Sequence, residues 1–173
     1  MLLQFREYKR CLDMMSNSIS LPPAGLLRRF GALIYDALII IALEMMAAGV
    51  VVAILEALVA LNVMSYGSYA DVSDLLTRHP IWSYVYTFYL AAVWVYFFVF
   101  FWTRAGQTLG MRAWRLLIIN EQDGNSISAT QALIRLFTSG FGLANLTVPF
   151  DQQKRGFQDI WAKTKVVVLP KVN

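Results

Sequence analysis

Asp36, Glu44 and Glu56 stand inside a run of apolar residues that covers positions 30–64. About 20 such residues carry a helix across a bilayer. An ionisable side chain held there costs about 2.5 kcal/mol or more, so it pairs, binds an ion or titrates. Arg29 stands at the start of the run, seven residues and about two helical turns before Asp36. The two share a helix face but lie about 10 Å apart along the axis, too far to touch within a regular helix. In one reading each meets a group from elsewhere, such as Asp159, Arg135 or a bound ion. In the other, Arg29 snorkels to the headgroups and Asp36 holds a buried water or backbone group. Glu44 lies about 12 Å deeper than Asp36, near the bilayer midplane. It either relays a proton or cation, or stays protonated and hydrogen-bonds a neighbouring helix. Asp36 and Glu44 are thus the candidate ion or proton site, while Glu56 falls near the far interface in a solvated role.

Other chemistries find little footing. His79 is the single histidine, and it has no cysteine or carboxylate motif around it to make a metal site. Cys11 is the single cysteine, so no intramolecular disulfide forms, and its basic surroundings place it in the reducing cytoplasm. No phosphate loop, nucleophile elbow or zinc-helix motif occurs. The reading is of a protein without metal or cofactor, and not an enzyme.

The elements that must hold these residues are membrane helices. Only 15% of the chain is charged, against about 25% in soluble domains. The excess of positive charge sits beside the apolar runs, which suits orientation signals and anionic lipid rather than nucleic acid. The sequence predicts an all-α membrane protein with two transmembrane helices, at about 30–58 and 81–103. A third, membrane-embedded or re-entrant segment lies at about 129–149, and a small cytoplasmic β element completes the fold. Residues 1–22 form a cytoplasmic N-terminal segment, either a surface helix or disordered, with Met14 and Met15 as alternative starts. It has no secretory signal, so the first membrane helix directs its own insertion. Residues 23–173 form the membrane domain.

Arg28 and Arg29 before the first span, and Arg104, Arg112 and Arg115 after the second, place both ends in the cytoplasm and the polar 66–80 loop outside. The third segment sets a conflict, because Lys154, Arg155, Lys163, Lys165 and Lys171 follow it. A re-entrant hairpin broken near Gly140-Phe141-Gly142, or an amphipathic helix in the interface, keeps those charges inside. Residues 116–120 read as a strand, 121–125 as a turn and 126–128 as a short return strand. Residues 164–169 form a second β-rich run. An isolated strand leaves its backbone unpaired, so 164–169 is expected to pair with 116–120. That pairing brings Asp159 toward Arg28 or Arg29.

Three segments in order resemble the RDD family of small membrane proteins. The first is Pro23-Ala24-Gly25-Leu26-Leu27-Arg28-Arg29-Phe30-Gly31 through to Tyr35-Asp36. The second is Gly106-Gln107-Thr108-Leu109-Gly110-Met111-Arg112 with the strand and turn after it, and the third is Arg155-Gly156-Phe157-Gln158-Asp159-Ile160-Trp161 with the run beyond. By position, the arginine and two aspartates that name the family resemble Arg29, Asp36 and Asp159. Leu109, Met111, Gln158 and Lys163 stand where the family commonly has proline, lysine, histidine and glycine. The resemblance implies either ion transport, sodium–proton exchange in particular, or an accessory role in a larger membrane complex. With two spans the chain offers little wall for a pathway, so transport implies a homo-oligomer. The accessory role implies a larger membrane-protein partner. Either way the chain contacts membrane lipid, and the expected location is the bacterial inner membrane.

Overall fold

The computed structural model describes residues 21–170. The N-terminal segment expected over 1–22, with Cys11, falls almost wholly outside the described residues, as does Lys171. The chain divides into two compact units: residues up to Ala37 together with those from Phe98 onward, and Leu38–Phe97.

Two helices dominate, α1 (Leu26–Ala60) and α3 (Trp82–Ala105). Both are long and apolar enough to cross a membrane, and few of their residues are buried by the protein itself. They fall where the apolar runs predict them, with shifted ends. Helix α1 begins four residues before the expected start, directly after the Pro22-Pro23-Ala24-Gly25 punctuation. It runs two residues past the expected end, to Ala60, before Asn62 turns left-handed at φ 57°.

In the Leu38–Phe97 unit, the expected 66–80 loop folds further than its polarity suggests. It carries a short helix, α2 (Val72–Arg78), which Asp71 caps by accepting from the Asp74 N–H at 2.8 Å. Val72, Leu75 and Leu76 are buried. His79 Nδ1 accepts from the Ile81 and Trp82 N–H groups at 3.1 and 3.2 Å, so the single histidine serves as an acceptor at the start of α3.

The other unit holds the rest. Helix α4 (Leu109–Ala113) leads into β1 (Leu116–Asn120). Helix α5 (Ala129–Thr138) follows, then a 3-10 stretch over Gly140–Phe150, helix α6 (Phe157–Ala162) and β2 (Thr164–Val168). The strands pair as expected, and the structure makes the pair antiparallel, with Ile118 opposite Val166 and Leu117 opposite Val167. The segment before α1 extends the pairing, since Ala24 N donates to Val166 O and Val168 N to Pro22 O, both at 2.9 Å. Leu117, Ile119, Val167 and Leu169 form one apolar cluster, covered by Leu21.

One expected element is absent. Residues 126–128 form no return strand. Ser128 instead caps α5: its Oγ accepts from Gln131 N at 3.2 Å, and Gln131 Oε1 accepts from Ser128 N at 3.0 Å. This reciprocal capping box consumes the backbone and side-chain groups that a strand would have presented. The third segment breaks where expected. Gly140, Phe141 and Gly142 all have positive φ, which ends α5 after ten residues.

Candidate functional site

Asp159 lies at the centre of the larger unit, with no exposed surface. It sits in the first turn of α6, and its Oδ2 accepts from the Gly156 N–H at 2.8 Å, which satisfies one free donor at that helix start. The same oxygen meets Arg29 Nη1 from α1 at 2.5 Å, and Oδ1 meets Arg135 Nη1 from α5. Burial by itself would raise this carboxyl. The positive charges of Arg135 and Arg29, with the Gly156 hydrogen bond, outweigh it and hold the group below the usual carboxylate range.

Arg29 is occupied on every nitrogen. Its Nε donates to Ala24 O at 3.1 Å, Nη2 to Lys154 O at 2.8 Å, and Nη1 also reaches Asn145 Oδ1 at 3.3 Å. Gln158 Nε2 donates to the same Asn145 oxygen at 2.7 Å. Arg135 Nη1 donates to Thr164 Oγ1 at 2.8 Å, and its guanidinium lies 5.4 Å from the centre of the Trp102 ring, within cation–π range. One carboxylate thus ties together α1, α5, the 3-10 stretch, α6 and the first residue of β2. Arg29 meets Asp159 as expected, and does not snorkel.

Asp36 is held separately, by a backbone group as in the second reading and by a loop hydroxyl that neither reading named. Neither Asp159 nor Arg135 meets it. Thr108 Oγ1 donates to its Oδ2, and the Gly110 N–H donates to its Oδ1 at 2.8 Å. Thr108 also caps α4, accepting from Met111 N at 3.2 Å. The close fit needs Gly110, because a Cβ there would collide with the Ala32 carbonyl oxygen and stand 2.8 Å from the Asp36 carboxyl group. The Gly106–Arg112 segment therefore seats the carboxylate about three turns into α1, through a loop hydroxyl and a backbone amide.

Glu44 belongs to the other unit. Both of its carboxylate oxygens are covered, and neither has a hydrogen-bond partner among the described residues. Glu56 is exposed and accepts from Tyr66 Oη at 2.6 Å, which agrees with a solvated role. The described residues contain no cluster of three or more histidine, cysteine, aspartate or glutamate side chains able to hold a metal ion.

Sequence reasoning placed Arg135 among possible partners but missed it as a site residue, and missed Thr108, Asn145 and Thr164 altogether. The signal for Arg135 was present. Arg135, between Ile134 and Leu136, is the single charge in residues 129–149, and a charge buried there calls for a partner.

Two long apolar helices, with a compact polar-cored unit built on the start of one and the end of the other, define a small multi-pass membrane protein. The chain belongs to the RDD family, whose sequence model matches residues 23–163. Arg29, Asp36 and Asp159, which the resemblance put at the naming positions, are thus all engaged in internal hydrogen bonds. Neither a curated protein nor a solved structure gives a significant match to the chain.

Proposed function

We propose that this RDD protein carries out proton-coupled ion transport as a homo-oligomer, with Glu44 as its titrating group. The observation that carries this reading is the pair of covered carboxylate oxygens on Glu44, without a hydrogen-bond partner among the described residues, within a long apolar helix. An ionised carboxylate in that position has nothing to offset its lost hydration. A proton or a cation supplies the missing partner. Asp36 drops out of the relay, since Thr108 and Gly110 already satisfy it. Two spans make no enclosed path, so several copies are required. In this reading the chain rearranges no covalent bonds. Its N-terminus and the 104–128 segment face the cytoplasm of a bacterial inner membrane, and 66–80 faces outward. Labelling of Cys11 by an impermeant thiol reagent in intact cells would reverse that orientation.

The test is flux in proteoliposomes under sodium, potassium and lithium gradients, with internal pH as readout. Glu44→Gln should abolish pH-coupled flux with reconstitution intact, while Glu56→Gln should leave it near wild type. Unchanged flux in Glu44→Gln, or none in the wild type, would sink the proposal. An accessory subunit is the second reading, and one specific observation favours it. The family-naming residues build the fold and leave no free group for an ion. Purification in mild detergent separates the two: a homo-oligomer by light scattering supports transport, and stable co-purification with another membrane protein supports the accessory role.

A further inference from the structure

The helices around Asp159 enclose charge and still present a broad apolar outer face. Helix α5 buries Arg135 beside Ala132 and Leu136 and turns Leu133, Ile134 and Phe137 outward. Helix α6 buries Asp159 and Gln158 and turns Phe157, Ile160 and Trp161 outward. Between them Phe141 is 83% exposed and Phe150 89%. A helix facing water shows the opposite polarity, and large contiguous apolar surfaces mark a contact with something apolar.

We propose that this face is inserted in the membrane and covered by lipid acyl chains, so that residues 129–150 and helix α6 form a membrane insert that does not cross, with the polar 151–155 link, exposed at Gln152, Gln153 and Lys154, left at the interface. Three observations argue for lipid. The first is depth. A Cβ on Gly142 would meet the Leu33 side chain, so the break in the third segment packs against α1 about two turns beyond its first residue. The exposed apolar surface of α1 there, at Leu27, Ile34 and Tyr35, belongs to the same unit, and the insert continues it.

The second is length. Ten residues of helix reach about 15 Å, half of the roughly 30 Å hydrocarbon thickness. The break then turns the chain, and Arg29 on α1 holds both Asn145 and the Lys154 carbonyl near one helix level.

The third is backbone accounting. Irregular backbone survives at membrane depth only where its polar groups are satisfied within the protein. Gly142 N and Ala144 N both donate to Ser139 O, at 2.9 and 3.1 Å, and Asn145 Nδ2 donates to Gly142 O at 3.1 Å. Thr147 Oγ1 donates to Ala144 O and accepts from Phe157 N, each at 2.8 Å. The break is closed on itself, as a water-free setting demands.

This inference does not rest on transport, and its test is separate. In a Cys11→Ser background, single cysteines replace Phe137, Phe141 or Phe150, with Gln122 in the exposed turn as reference. Each is spin-labelled in liposomes and read by collision with oxygen, which partitions into hydrocarbon, and with a water-soluble nickel chelate. The insert predicts that the oxygen-to-nickel ratio at the three phenylalanine positions inverts relative to Gln122. Ratios like that of Gln122 would overturn it. So would low access to both reagents with dipolar broadening that disappears on dilution with unlabelled protein, because a second copy would then cover the face. Three independent positions keep the test valid if one variant fails to fold.

Discussion

Asp159→Asn isolates the strongest claim about how this fold is held. The carboxylate accepts from two arginines and one backbone amide, and none of its surface is exposed. Asparagine keeps the shape but removes the negative charge, so Arg29 and Arg135 remain buried with no counter-charge. Removing one partner of a buried ion pair costs about 3–5 kcal/mol. At about 2–4 °C of melting temperature per kcal/mol for a chain of this length, the loss is about 6–20 °C. The assay is the fraction of protein kept in a single gel-filtration peak after heating in mild detergent. Replacing the whole triad by apolar residues, as Arg29→Met, Arg135→Met and Asp159→Leu, should recover part of the loss, because no charge is then stranded. A melting temperature for Asp159→Asn equal to wild type would refute the argument that this carboxylate holds five elements together. The pH dependence has a defined sign. The folded carboxyl lies below its unfolded value, so its stabilisation is complete above about pH 4 and is lost as pH falls through the folded value. The gap between wild type and variant should therefore stay constant from about pH 8 to 5 and close only in stronger acid.

Other positions give sharper local tests. Gly110→Ala should destabilise by about 1–3 kcal/mol, since the added methyl presses on the Asp36 carboxylate; Gly25→Ala, with open space around it, should be near neutral by the same melt. Thr108→Val should cost about 1–3 kcal/mol by leaving an Asp36 oxygen short of its donor. Cysteines at Ile119 and Lys165 should form a disulfide under mild oxidation, whereas Ile119 with Val166 should not, because the register places Ile119 opposite Lys165.

Much of the architecture was legible along the chain because it rests on local or additive physics. The membrane runs around Asp36 and Trp94 follow from continuous apolar stretches longer than a bilayer needs, and these require no knowledge of neighbours. The break at Gly140-Phe141-Gly142 follows from two glycines one residue apart, which tolerate positive φ. Pairing of 116–120 with the 164–169 run followed from the need of an isolated strand for a partner, although the return strand expected at 126–128, which does not form, competed for 116–120. Register did not follow, since Ile118 offers similar side chains to both Val166 and Val167.

What only tertiary structure decided is which buried charge meets which. Arg29 and Asp159 lie 130 residues apart; helix spacing excluded Asp36 as the partner of Arg29 and strand pairing pointed to Asp159, but that Arg135 shares the same carboxylate was decided by the fold alone. The antiparallel sheet, by carrying the residues after Asp159 back beside β1, and the capped α5, by turning Arg135 inward, select Asp159. Asp36 is left to Thr108 and Gly110, whose loop lies 72 residues further along. The polarity of residues 129–162 is of the same kind. Composition reads 129–149 as moderately apolar, but whether arginine or phenylalanine faces outward there depends on where the acid lies, and that is a property of the folded chain.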